Sequence, residues 1–83
     1  MLFSSAFCGA CARARAVLGE AARLVPGLTV TEFDIAFEPE RAEAEDIRAT
    51  PTVIVRNAAG EDVFRAEGPP SLPQALAAAA KAL

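Results

Sequence analysis

Prolines and glycines interrupt this chain repeatedly, and that punctuation constrains its fold more than any other feature. Breaks fall at Pro26-Gly27, Pro39, Thr50-Pro51, Asn57-Ala58-Ala59-Gly60 and Gly68-Pro69-Pro70. Proline lacks the N–H that helix interiors and sheet ladders need, and glycine opens turn conformations closed to other residues. What lies between the breaks must be short. Leu2 to Phe7 is apolar with two serines and reads as a strand. From Gly9 to Val25 the period changes, with Cys11, Ala14, Val17, Leu18, Ala21, Leu24 and Val25 on one face of an amphipathic helix. Leu28 to Ile35 alternates as a strand, and Pro39 opens a short polar helix running to about Arg48.

The second half reads differently. Thr52 to Val55 is a continuous apolar run suited to a central strand, and Val63 to Ala66 returns across the Asn57–Gly60 turn as a hairpin. Ser71 followed by Gln74 forms a capping box for a last helix, with Pro73 in its first turn and a stripe of Leu72, Leu76, Ala79, Ala80 and Leu83. The order is β-α-β-α-β-β-α. Its first half implies a right-handed parallel crossover and its second an antiparallel pair. The expected fold is therefore α/β: one domain over residues 1–83, a mixed four-stranded sheet with helices on both faces.

The chain has 83 residues, 53% of them hydrophobic, which disfavours disorder. Much of that fraction is alanine, and with five Phe, no Trp and no Tyr the chain lacks the bulk to line a spacious ligand cavity. A formal charge of −3 argues against nucleic acid and anionic membrane as partners. No stretch approaches the ~20 apolar residues of a membrane span once its charges are counted. The N-terminal Met1–Phe7 lacks the basic region of a signal peptide, so a cytoplasmic, reducing setting is expected. With no histidine, imidazole bases and most catalytic zinc sites are excluded.

Two cysteines remain, Cys8 and Cys11, in Cys8-Gly9-Ala10-Cys11 at the junction of the first strand and first helix. A helix N-terminus offers unpaired N–H groups and a partial positive charge, both favouring thiolate over thiol. Cys8 is placed to be the exposed nucleophile and Cys11, a turn inside on the apolar face, the shielded resolving thiol. Such a pair can attack a target disulfide and then release it. The same spacing also serves zinc, iron–sulfur and copper, so a metal-binding or metal-delivery module is the alternative. Small copper carriers with this motif run β-α-β-β-α-β and end on a strand, whereas this chain ends on a helix. A vestigial interaction domain is the third reading. Thr50-Pro51 is by itself either punctuation before a strand or a cis proline.

Together these residues resemble the thioredoxin family. The resemblance rests on Cys8-Gly9-Ala10-Cys11, Phe33-Asp34-Ile35, Glu38-Pro39-Glu40, the run Ile47 to Val55 containing Thr50-Pro51, the Asn57–Gly60 hairpin with Val63-Phe64, and Gly68. It spans Leu2 to Leu83, at the size of the compact thioredoxin- and glutaredoxin-like proteins. It implies a thioredoxin-like fold and a thiol-disulfide oxidoreductase. Pro51 would be a cis proline opposite the disulfide. Thr50 would present its backbone to an extended substrate, and Phe7, Gly9, Ala10 and Gly68 would line the docking surface. It further implies disulfide-containing protein substrates, an electron donor that is a thioredoxin-reductase-like enzyme or a small thiol, a monomer, and no bound cofactor or metal. Phe7 stands where thioredoxins usually carry Trp, and Ala10 where they carry Pro. Leu2 stands near their buried Asp. The glutathione-holding residues of glutaredoxins are not matched by Gly68-Pro69-Pro70-Ser71. Arg13 and Arg15 either raise the thiolate population or steer an acidic partner, or they form a solvated helix face.

Overall fold

A computed structural model describes residues 1–83. The elements are β1 (Leu2–Ser4), α1 (Gly9–Leu24), β2 (Glu32–Asp34), α2 (Pro39–Ala44), β3 (Thr52–Arg56), β4 (Asp62–Glu67) and α3 (Leu72–Ala82). They form one sheet of order β2-β1-β3-β4. β1 pairs parallel with β2, and antiparallel pairings join β1 to β3 and β3 to β4. The expected order and mixed sheet are both present.

The pleat divides the side chains between two unequal faces. Leu2, Val53 and Val55 pack on Ala14, Leu18 and Ala21 of α1 and on Ala75 and Ala78 of α3. The buried alanines let both helices lie close to the sheet, which suits a chain short of bulky residues. On the other face Phe3 stacks on Phe33 with ring centroids 5.3 Å apart, and Arg41 of α2 lies 4.5 Å over the Phe33 ring. The six-residue α2 buries none of its own side chains.

Three expectations need correction. The strand read over Leu28 to Ile35 is formed only at Glu32–Asp34. Its partner β1 is three residues long and begins at Leu2. The last ladder contact below it is Leu2 N–H to the Thr31 carbonyl at 2.9 Å, so Leu28 to Val30 have no strand to pair with. In α3 the buried residues are Ala75, Ala78 and Ala79, while Ala80 and Leu83 face solvent. Ala79 of the expected stripe is buried and Leu72 and Leu76 pack partly buried against the core, but Ala75 and Ala78, outside that stripe, are buried as well. α2 likewise ends at Ala44 rather than near Arg48.

Caps and turns follow the sequence closely. Ser71 accepts from Gln74 N–H at 3.2 Å and the Gln74 side chain accepts from Ser71 N–H at 2.9 Å. In the β3–β4 hairpin Asn57 Oδ1 accepts from the N–H groups of Ala59 and Glu61, and Gly60 adopts φ +83°. The registers place the C-terminal ends of β1, β2 and β4 and the N-terminal end of β3 at one pole of the sheet. Both α1 and α3 start there.

Candidate active site

The Cys motif forms because β1 must turn sharply into α1 at that pole. Phe7 makes the turn with φ 56°, a left-handed conformation uncommon for a side chain of its bulk. Cys8 then takes the extended conformation of a helix N-cap, φ −112° and ψ 103°. Its Sγ accepts the Cys11 backbone N–H at 3.0 Å. A sulfur therefore stands where Ser or Asp usually satisfies the first turn, and a backbone donor plus the positive helix end favour negative charge on it. The first turn of α1 carries no acidic residue to oppose that field.

Cys8 and Cys11 are joined by a disulfide, their Cα atoms 5.1 Å apart, within the usual span for such bridges. The two sulfurs differ in access. Cys11 is fully buried on the core side of α1, whereas Cys8 is half-buried at its tip. Gly9 is exposed and Ala10 half-buried. Phe7 is wholly exposed.

The Thr50-Pro51 bond is cis, which resolves the two readings of that dipeptide. Pro51 is buried, and its carbonyl accepts the N–H of Gly68 at 2.8 Å. Gly68 has φ +90°, the left-handed region where glycine is at ease. Thr50 Oγ1 and Ser5 Oγ lie 2.8 Å apart, joining the segment before Pro51 to the segment before the cysteines. Thr52 Oγ1 donates to the Ala49 carbonyl at 2.6 Å. The fold thus gathers Phe7, Cys8, Thr50, Pro51 and Gly68, distant in sequence, at one pole.

Three participants were not visible in the sequence. Ser5 is one, since nothing local marks a serine that will bond a threonine 45 residues away. Phe37 is another: it follows the end of β2 at the same pole and is 84% exposed. The third is a polar cluster flanking α1. Glu32 accepts from Arg15 at 2.7 and 2.6 Å and from the buried Ser4 hydroxyl at 2.8 Å. Arg15 chiefly holds the Glu32 carboxyl below its usual range; burial opposes it, and the Ser4 hydroxyl adds a smaller effect in the same direction as Arg15. Arg15 is thereby engaged in the protein itself.

No group of three or more Cys, Asp or Glu side chains converges to hold a metal ion. An ion bound by Cys8 and Cys11 would need the rest of its ligands from elsewhere. The one cavity, about 290 Å³, lies at the opposite pole between Met1, Leu28, Val55 and Leu83. None of the Cys-pole residues lines it.

No protein-family profile matches the chain, and no curated protein matches it. Solved structures do. A malarial protein superposes with a TM-score of 0.82 at 18% identity, over 99% of this chain and 92% of that one. Chloroplastic thioredoxin z, described as having a type-specific target recognition, superposes with a TM-score of 0.78 at 22% identity, over 96% and 73%. The chain has the thioredoxin-like fold. On it sits a disulfide-forming CxxC pair facing the pole of a cis proline.

Proposed function

We propose that the chain is a thiol-disulfide oxidoreductase acting as a protein disulfide reductase. The observation that carries this reading is the asymmetry of the pair: an accessible Cys8 sulfur capping α1, and a Cys11 sulfur buried behind it. The Cys8 thiolate attacks one sulfur of a target disulfide, that bond breaks, and the leaving thiolate takes a proton. Cys11, losing its own proton, then attacks Cys8 Sγ and expels the second target thiol. The target gains two electrons and two protons, and the chain is left with the Cys8–Cys11 disulfide. A thioredoxin-reductase-like enzyme or a small thiol returns the electrons in a reducing cytoplasm.

Protein substrates suit this pole because it holds no cavity for a small molecule. In this reading Thr50 and Gly68 lend main-chain groups to an extended target segment, with Phe7, Gly9, Ala10 and Pro51 beneath it. The chain works as a monomer and binds no cofactor; its two sulfurs carry the electrons.

The test has two parts. Cys8→Ser should reduce insulin disulfides no faster than the buffer thiol alone, while Cys11→Ser should accumulate a mixed disulfide through Cys8. Full insulin reduction by Cys8→Ser would overturn the mechanism. A redox titration read by alkylation mass shift should give a two-electron midpoint near or below about −230 mV. A midpoint of about −120 to −180 mV would instead mark an oxidant or isomerase.

A further inference from the structure

The arginines single out one of their number. Arg15 is paired with Glu32, Arg23 with Glu20, Arg48 with Asp46, and Arg56 with Glu45 and Asp62. Arg41 lies over the Phe33 ring and Arg65 donates to the Asp46 carbonyl. Arg13 alone has no carboxylate, carbonyl or ring. It lies one turn into α1 and is exposed. Its Nη1 is 3.9 Å from where a Cβ on Gly9 would sit, so the guanidinium reaches back along α1 toward the Cys motif. The only other unpaired cationic side chain, Lys81, is in the last turn of α3 at the opposite pole.

The charge around Cys8 is divided across the sheet. Arg13 and the unopposed helix N-terminus lie on the α1 side. Glu38 and Glu40, both exposed, begin α2 on the other side. In a chain of net charge −3, an unpaired guanidinium in the first turns of the helix that carries the cysteines is a local exception. A guanidinium is a strong forked donor for carboxylates.

We infer that Arg13 determines specificity, selecting protein targets with an acidic side chain close to the attacked cysteine and seating that carboxylate on the α1 side of Cys8. This rests on the reductase reading above and names the substrate class of the same site. The carboxylates of α2 repel the opposite orientation, so the pair of charges sets the direction of the target segment as well as its composition. Arg13 takes no part in the electron transfer. It acts on which disulfide reaches Cys8 and how it lies there.

The experiment compares three synthetic disulfide peptides, identical except for Glu, Gln or Lys beside the target cysteine. Each is reduced by the dithiol form of the chain, of Arg13→Gln and of Arg13→Glu. The natural chain should reduce the Glu peptide faster than the Lys peptide by about 3–10-fold at low ionic strength, the scale of one exposed pair gained and one repulsion avoided. The ratio should shrink as salt is added, approach one in Arg13→Gln, and invert in Arg13→Glu. Because the readout is a ratio, a general change in thiol reactivity in the variants cancels. Equal rates on all three peptides by the natural chain would overturn the inference and leave the reductase reading intact. Reduction of none of them, or of insulin, would overturn the reductase reading and this inference with it. If Arg13→Gln altered only the reduction of glutathione disulfide, a small-molecule carboxylate would replace the protein target and the inference would fall.

Discussion

The two poles of the sheet are built on opposite principles. At the pole of Met1 the N-terminus and Arg56 are both matched. The terminal ammonium donates to the Ile54 carbonyl at 2.6 Å, and Arg56 joins Glu45 and Asp62, both at 2.5 Å. At the pole of Cys8 groups are left available. Phe7 and Phe37 stand in solvent, and Arg13 is unpaired. A chain this small has little stability to spare, so the difference teaches where it tolerates unmatched chemistry. It does so at the ends of strands held from behind by the α1–α3 core, where function requires groups to remain free.

Substitutions can break or sharpen this contrast. The largest stability effect should come from Leu2→Ala. Leu2 is fully buried and central to the core, so the change should remove about 2–5 kcal/mol. Thermal unfolding would show it, at roughly 4–8 °C per kcal/mol for a domain of this size. Insulin reduction at a temperature where the variant is folded should persist. A folded Leu2→Ala chain without activity would mean the poles are not separable.

Gly68→Ala comes next. A Cβ there meets nothing within 4 Å, so its effect isolates the φ +90° backbone, about 1–2 kcal/mol. Because Gly68 N–H holds the Pro51 carbonyl, insulin reduction should slow as well; unchanged turnover would remove Gly68 from the working pole. Ser71→Ala, which loses the capping box of α3, should lower stability by about 1 kcal/mol in urea titration. Its reduction rate should not change.

The smallest effect is set by pH. The Glu32 carboxyl is held below its usual value, chiefly by Arg15. Its stabilisation is therefore complete above the ordinary carboxylate pKa of 4.5 and is lost as pH falls through the lower folded value. The pair is substantially exposed, which limits the size of the effect. The urea midpoint of the natural chain should fall further between pH 6 and pH 3 than that of Glu32→Gln. Equal falls would show that Arg15 gives Glu32 nothing in solution.

Local features were legible in the sequence to different degrees. The helices over Gly9–Leu24 and Leu72–Ala82, the capping box and the hairpin turn follow from residues within a few positions of one another. The shared pole of Cys8, Pro51 and Gly68 was reached through resemblance to thioredoxins, because no local pattern ties residues some 40 apart. The alternation from Leu28 to Val30 promised a strand, but alternation carries no information about whether a partner exists. Ala75 and Ala78 of α3 were missed although Ala79 was included, because apolar bulk dominates a periodic pattern while close helix–sheet contact selects small residues.

By itself, the sequence determined the order of the elements and the placing of a sulfur pair at a helix start. Those depend on local period, proline and glycine chemistry, and the field of a helix end. Only the tertiary structure decided that the Thr50-Pro51 bond is cis, that Ser5 bonds Thr50, and that Arg13 stands unpaired while Arg15 does not. Those outcomes depend on which neighbours three-dimensional packing supplies. A side chain's partners are set by distances across the sheet, and these are not written in its sequence neighbourhood.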